Sequence, residues 1–474
     1  MLMLLATALS SFSTPPADPP EWGGFRGNNG LGLSTSAALP ESFDKDAALW
    51  RVEVPAGYSS PVICDYRVIV TGAVGSELVM MCLDRDNGDL LWEHSLEYDG
   101  QRPGANSPAA PSPVTDGEHV AFLFHHYGLI VTDLEGEELW RKELGPFNIP
   151  HGMSTSPLLW GDLLIQLVDQ DMGSYMVAFD VKTGEERWRT ERPGVTHSYS
   201  TPALYEPAEG PAQVVVSGSF QIAGYEAETG KKLWWVDGAA WQAKAVPVVI
   251  GDSVYVNSFM VAPSEFNIPA VTQSWEEFLA ARDEDGDELV GRTEWSDGGD
   301  FLQQAWFIFD LDGDDKIGPA DYDYLERCGK STGALFKIKL DGEGDVTESH
   351  VTWRYDDRRG LPDASSPLVV DGTLYLIKES GIMSSIDAAT GETIKQGRVA
   401  EPDQYFASPV AAGDKIVTAS LTGQLAIVNA AAEWEVEAVA NIGEEVWSTP
   451  AIADGQVFVR SQAALYCFGA SPGN

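Results

Sequence analysis

Residues 175–188 read YMVAFDVKTGEERW, and the fold follows from them. Tyr175, Val177 and Phe179 alternate with Met176, Ala178 and Asp180, the two-residue period of a strand buried on one side. Asp180 to Gly184 then turns the chain: the Asp180 carboxylate can accept from amides ahead of it, and Gly184 can take a positive φ without a Cβ clash. A second strand follows and ends in Trp188. An indole at that point can lie on a neighbouring sheet, a burial worth on the order of a few kcal/mol. One such unit cannot cover its own faces, so it needs copies beside it.

The copies are there. LVMMCLDRDNGDLLW ends at Trp92, GLIVTDLEGEELW at Trp140 and QIAGYEAETGKKLW at Trp234, with weaker versions around Asp387 and Asn429. A small residue and a proline open each unit, at Pro61, Pro113, Pro157, Pro202, Pro247, Pro367, Pro409 and Pro450. Successive prolines stand 41 to 52 residues apart, with one interval of 120 between Pro247 and Pro367. That period predicts an all-β, eight-bladed propeller of four-stranded blades with an insertion of about 75 residues in blade five. ALWRVEVP (48–55) reads as an outer strand without inner partners, and 448–469 as three strands without a fourth. The N-terminal strand is therefore expected to close the last blade and remove the sheet edge. Blade six carries Lys395 where the others carry Trp. The expected layout is a leader at 1–20, propeller at 21–259, insert at 260–330 and propeller again at 331–470.

The net charge of −42 disfavours nucleic acid and anionic membranes and favours divalent cations. MLMLLATALSSFSTPP resembles a signal peptide without its basic start, which points to an extracytoplasmic protein; no other run is long enough to span a bilayer. The chain is expected to be a monomer. Cys64, Cys82, Cys328 and Cys467 form no CxxC or vicinal pair, so buried free thiols are expected, with a Cys64–Cys82 pairing as the alternative.

The strand starts and the A-x-D-x-x-T-G-x-x-x-W pattern, carried by Ala178, Asp180, Thr183, Gly184 and Trp188, resemble the pyrroloquinoline-quinone-like (PQQ-like) propeller repeat family. EWGGFRGNNGLG (21–32) is similar to the lead-in of its bacterial members. The resemblance implies the propeller fold and leaves function open, because the family includes quinoprotein dehydrogenases and non-enzymatic scaffolds such as the outer-membrane assembly propeller. A quinoprotein of this kind would carry a vicinal Cys pair, absent here, so PQQ is not expected.

Between Asn267 and Lys330 the period changes, and two segments each read helix, acidic loop, helix, resembling paired EF-hands. Ca²⁺ takes six to eight oxygens, and carboxylates at alternate loop positions supply them from one concave side. In the first loop Asp283, Asp285 and Asp287 hold positions 1, 3 and 5, Leu289 offers its carbonyl at 7, and Glu294 stands at 12. The second has Asp310, Asp312, Asp314, Lys316 (by carbonyl) and Asp321. Val290 and Ile317 occupy the apolar eighth position, where paired loops touch. Position 6 should be Gly but is Glu288 and Asp315, which puts strain there. Gly298-Gly299 interrupts the helix leaving the first loop. An acidic solvated insertion is the bland alternative, but two D-x-D-G-D loops in register favour calcium.

No catalytic constellation is legible. His125, His126, His151 and His197 are the candidate histidines, with His125 and His126 expected on opposite faces of a strand. The repeat register places the residues three before each marker proline at the channel mouth: Tyr58, Ala110, Ser154, Tyr199, Lys244, Ala364, Phe406 and Trp447. Tyr58, Tyr199, Lys244, Phe406 and Trp447 make this a candidate floor for a small planar or anionic ligand or a docked peptide; otherwise they plug the channel. The sequence therefore favours a scaffold that binds a protein or small ligand at the propeller face, with calcium in the insert. A quinone-dependent alcohol or sugar dehydrogenase is the alternative.

Overall fold

A computed structural model describes residues 20–36, 39–260, 273–331 and 333–469. The expected leader lies outside them except for Pro20, as does 261–272 of the insert. The described chain forms eight blade sheets, each built on four antiparallel strands, two of them with a fifth strand added in parallel at an edge, and a two-stranded ribbon in the insert; the whole is an all-β propeller. Blade one is Val62–Cys64, Arg67–Val74, Glu77–Asp84 and Leu90–Glu97. Blade eight takes Ala451–Ala453, Gln456–Arg460 and Ala464–Phe468 from the C-terminal end and Trp50–Glu53 from the N-terminal end, with Trp50 opposite Cys467. Blade five leaves its sheet after Ser258 and returns at Ala334. No helix of the described residues is long and apolar enough to cross a membrane. All four cysteines are buried free thiols.

The opening stretch forms Tyr175–Asp180 and Glu186–Glu191 of blade three. Its first strand is buried on both faces, not one: Met176, Val177, Ala178 and Phe179 are all within 2% of full burial. Blades stack face to face, so each inner strand is walled by both neighbours, and Val177 and Ala178 contribute to different clusters. The alternation of residue size sorts side chains between two interfaces.

The tryptophans dock as the register requires. Trp50, Trp92, Trp140, Trp188 and Trp353 each donate Nε1–H to a carbonyl of the next blade: Arg85, Leu134, Val181, Ala227 and Ala388. Each ring covers a turn glycine with positive φ. A Cβ on Gly184 would lie 2.7 Å from Trp140 Cδ2, and one on Gly230 2.5 Å from Trp188 Cε3. The turn glycine is thus the floor of the next tryptophan's seat as well as a backbone requirement. Trp234 departs from the pattern. It folds onto its own sheet, where Gly224 leaves room and Gln213 Oε1 accepts its N–H at 2.8 Å. In blade six Lys395 reaches over the Trp434 ring at 4.9 Å, so the receiving blade supplies the indole.

The residues before the marker prolines form a belt around the channel. Ser60 N donates to Ser112 Oγ, Ser112 N to Ser156 Oγ, and Ser156 N to Thr201 Oγ1. The series resumes from Val246 N to Ser366 Oγ, then Ser408, Thr449 and back to Ser60. It breaks only at Val246, which has no hydroxyl. A proline next in sequence needs no partner for its nitrogen, and the hydroxyl before it takes the amide of the neighbouring blade, so the pattern satisfies seven of the eight inner-edge amides and misses that of Thr201.

Residues 20–36 cross the channel. Trp22 pairs with Ile63 of blade one, Asn29 exchanges hydrogen bonds with Leu204 of blade four, and Leu33–Ser34 adds in parallel to blade seven. Arg26, 0% exposed, donates to the carbonyls of Gly30, Pro367 and Pro409, and burial brings its pKa down to about 9. Gly27 and Gly30 have positive φ, and a Cβ would strike Trp22 and Val246. The Gly-rich lead-in is a plug.

Candidate functional site

Among the described residues the insert holds four short helices, α1 (Trp275–Arg282), α2 (Asp300–Gln304), α3 (Trp306–Phe309) and α4 (Pro319–Lys330). Ser274 caps α1 by accepting from Glu277 N. The first acidic loop is followed by a 3-10 turn at Ser296–Gly298 in place of a full helix, because Gly298-Gly299 ends the run. Val290 pairs with Ile317, joining the two loops back to back.

Side-chain oxygens of Asp283, Asp285 and Asp287 lie within 4.8 Å of one another, as do those of Asp310, Asp312 and Asp314. Asp283 accepts from Gly286 N and Glu288 N, and Asp310 from Gly313 N and Asp315 N, so each first carboxylate shapes its own loop. Glu288 and Asp315 take the expected left-handed conformation, φ 68° and 67°. The twelfth carboxylates hold loop amides: Glu294 accepts from Glu284 N and Gly291 N, and Asp321 from Leu311 N and Gly318 N. Those bonds keep Glu294 below the usual carboxylate range, whereas burial lifts Asp321 to about 6. Leu289 and Lys316 stand at the seventh positions, their amides donating to Asp287 and Asp314. Two ion pairs cross between the loops, Lys316 Nζ with Asp287 and Arg292 Nε with Asp315 Oδ1 at 2.6 Å. The sequence gives no sign that the Lys316 ammonium reaches a carboxylate of the other loop.

All eight residues that the register placed at the channel mouth line one cavity of about 400 Å³. Tyr58 stacks on Trp447 (4.6 Å, 16°) and Trp447 on Phe406 (4.7 Å, 12°), a column of three rings from blades one, eight and seven. Arg102 donates to the Tyr58 hydroxyl and lies 5.6 Å from its ring. Lys244 is not a free cation: its Nζ pairs with Asp363 Oδ2 at 2.6 Å. Tyr199 is buried, which raises its hydroxyl pKa well above the ordinary value. Phe25 of the plug and His151 also line the cavity. Burial, then the nearby His197 and Lys244, lowers His151 to about 4. Neither residue follows from the repeat register. Phe25 sits in an aperiodic segment, and His151 on a loop between blades.

The insert sits beside this mouth. Phe307 of α3 meets the His151 ring edge to face at 6.1 Å, and Asn148 Nδ2 donates to Leu311 O at 3.1 Å. Trp241 of the propeller stacks on Phe309 (5.9 Å, 16°). His197 is fully buried beneath α4, paired with Asp171 through Nδ1 and 3.2 Å from the Tyr324 hydroxyl through Nε2. His125 and His126 lie in a turn, where their rings meet edge to face at 4.8 Å instead of facing apart. Turn geometry replaces the strand alternation that would have separated them.

Solved structures with this fold include BamB from Moraxella catarrhalis: 12% identity over 88% of this chain and 98% of that one, TM-score 0.56. A europium-containing methanol dehydrogenase matches at 11% identity, 93% and 89% coverage and TM-score 0.60. Quinohemoprotein alcohol dehydrogenase from Comamonas testosteroni matches at 13%, 96% and 81%, TM-score 0.56. At these identities the likeness is one of fold. No curated protein matches the sequence. A family model described as outer membrane protein assembly factor BamB matches residues 42–149, 171–297 and 326–474, most of the propeller, and the chain belongs to that family.

Proposed function

We propose that this protein is an extracytoplasmic propeller scaffold that binds a protein or small ligand at the channel mouth and carries calcium in its insert. The observation behind this reading is the convergence of the eight mouth residues on one plugged cavity, whose walls are a packed aromatic column and an ion pair. The insert adjoins that mouth through Phe307 and His151. The family description, an outer membrane protein assembly factor, supports a protein partner and a place outside the cytoplasm.

Calcium fits the insert by chemistry. Each loop supplies three carboxylates at alternate positions, a carbonyl at Leu289 or Lys316 and a further carboxylate at Glu294 or Asp321, all oxygen donors suited to a hard cation. Bound there, calcium would cross-link each loop and offset the repulsion among its acids. A tricarboxylate quinone is a poor match to the mouth. Lys244 is the one lysine or arginine among the described residues lining the cavity and is already paired with Asp363, Arg102 behind the lining is spent on Tyr58 and the carbonyls of Ala105 and Asn106, and the chain carries −42 overall.

The test uses the full chain. Calcium titration into chelator-treated protein should show saturable uptake and raise the melting temperature, with both lost in Asp283→Ala/Asp310→Ala. No uptake would remove calcium from the reading. Capture of an extracytoplasmic partner that survives in wild type and fails in Trp447→Ala supports the mouth as the binding face; capture indifferent to that change moves the face elsewhere.

A further inference from the structure

A cationic groove interrupts the acidic surface at the seam of blades five and six. Its volume is about 410 Å³, and Arg359, Lys378 and Arg398 line it together with Ser380 and Gln396. No carboxylate lines it among the described residues, in a chain whose acids outnumber its lysines and arginines 72 to 30. Arg359 stands on the connection leaving blade five, Lys378 in the turn between Thr373–Ile377 and Ile382–Asp387 of blade six, and Arg398 at the end of that blade's outer strand, Thr393–Arg398. Lys378 Nζ donates to Arg358 O and Arg398 Nη1 to Ser380 O at 2.5 Å, and neither pairs with a carboxylate among the described residues. Arg359 meets Asp357 at 3.3 Å in an exposed pair, and Lys395 is spent on Glu435 and the Trp434 ring. Carbonyl acceptors thus fix Lys378 and Arg398 in place without cancelling their charge, and each keeps N–H donors for an anion.

The chain itself shows what such an edge accepts. Residues 341–345, DGEGD, belong to the loop between the last two strands of blade five, and they run in parallel beside Lys232–Asp237, the outer strand of blade four. Gly344 lies opposite Trp234 and Asp345 opposite Trp235, and Val346 N donates to Trp235 O at 2.9 Å. An acidic extended segment is therefore the fifth strand of that blade. The equivalent positions on blade six are Lys395 and Gln396, and no strand covers them among the described residues. The open outer strands Leu90–Glu97, Glu138–Glu143, Glu186–Glu191, Val436–Asn441 and Trp50–Glu53 each carry glutamate, which repels an acidic neighbour. Val351–Tyr355 and Thr393–Arg398 carry none, and they flank the groove.

We propose that an acidic, extended segment of a partner protein lies along the outer edge of blade six, pairs with the backbone of residues 395–397 and sets its carboxylates on Lys378 and Arg398. The two cations are anchored on separate carbonyls, which suits carboxylates spaced along a strand better than one compact phosphate. The net charge of −42 repels an anionic membrane, whereas a single strand reaches the groove without bringing a whole acidic surface against the ring. This surface is separate from the channel mouth and from the calcium loops.

The probe is a fluorescein-labelled peptide LDGEGDVT, the chain's own residues 340–347, titrated with the full chain and followed by anisotropy. Wild type should bind it saturably, and raising salt from about 20 to about 200 mM should weaken binding several-fold. The uncharged peptide LNGQGNVT should bind about tenfold more weakly or worse. Lys378→Glu/Arg398→Glu should weaken the acidic peptide by about tenfold, whereas Lys182→Glu/Lys231→Glu, the same change of net charge in exposed turns of blades three and four, should change it by less than about twofold. An unchanged urea midpoint shows that each variant is folded, and the uncharged peptide makes the same comparison with the protein untouched. No binding to wild type, equal binding of the two peptides, or equal losses in the two double variants would overturn the proposal. So would displacement of the peptide by an equimolar amount of inorganic phosphate, or binding of the full chain to phosphatidylglycerol vesicles through Lys378 and Arg398, since the groove would then be a site for a small anion or a lipid. Partner capture through Trp447 stands or falls apart from all of these results, so failure of this surface and failure of the scaffold reading are separable.

Discussion

Replacing Gly184 by Ala tests the blade-to-blade seat at its narrowest point. Gly184 has φ +69°, and a Cβ there would sit 2.7 Å from Trp140 Cδ2 and 2.9 Å from Cγ and Cε3. The left-handed backbone alone costs an alanine about 1 kcal/mol. The ring must also lift, which forfeits its hydrogen bond to Val181 O (2.7 Å), about 1 kcal/mol, and part of the packing of a side chain only 9% exposed, about another 1 kcal/mol. Gly184→Ala should therefore cost about 3 kcal/mol. Gly173, in the same blade, has φ +73° and nothing within 4 Å of a built Cβ, so Gly173→Ala should cost only about 1 kcal/mol. In a Trp140→Ala background the clash is gone, and Gly184→Ala should also fall to about 1 kcal/mol, a coupling of about 2 kcal/mol. Urea unfolding of the full chain, followed by far-ultraviolet circular dichroism at fixed calcium, measures wild type and the four variants. Equal costs at Gly184 and Gly173, or no coupling to Trp140, would refute the seat as the link between blades.

Ser112→Ala leaves Ser60 N without its acceptor and should destabilise by about 1–3 kcal/mol, whereas Ser154→Ala, outside the belt, should stay within about 0.5 kcal/mol; the same urea series measures both. Lys316→Gln removes the ammonium that occupies Asp287, so calcium affinity at the first loop should rise, read by calorimetric titration. Burial lowers His125 and His151 to about 4, from an ordinary value near 6.5. Both are neutral in the fold while the unfolded chain protonates. Their contribution is thus full above about pH 6.5 and drains away as pH falls towards 4. His125→Asn/His151→Asn should flatten the melting-temperature profile across that window, and an unchanged slope would exclude these histidines as its cause.

What the sequence revealed depended on how local the chemistry was. The Trp188 turn unit and the marker prolines fix blade count, closure by Trp50–Glu53 and the position of the mouth, because each is a short pattern with a direct steric cause. Long-range facts were hidden. That Val177 and Ala178 face different blades, that Ser60 completes a belt begun at Thr449, and that Arg26 reaches Pro367 and Pro409 all join residues far apart in the chain. Trp234 illustrates the limit of the repeat rule: Gly224 and Gln213 give it a seat within its own sheet, and propensity alone carries no sign of this. At the mouth, the register brought together the right positions but not the Lys244–Asp363 pair, which comes from two blades.

As proposed, this ring binds a partner and does not oxidise an alcohol or sugar through a quinone. Purified full chain, given calcium, PQQ, an alcohol or an aldose, and a reducible dye, measures that directly. Dye reduction no faster than without protein is expected. Reduction that saturates with PQQ and depends on the alcohol or sugar would contradict it.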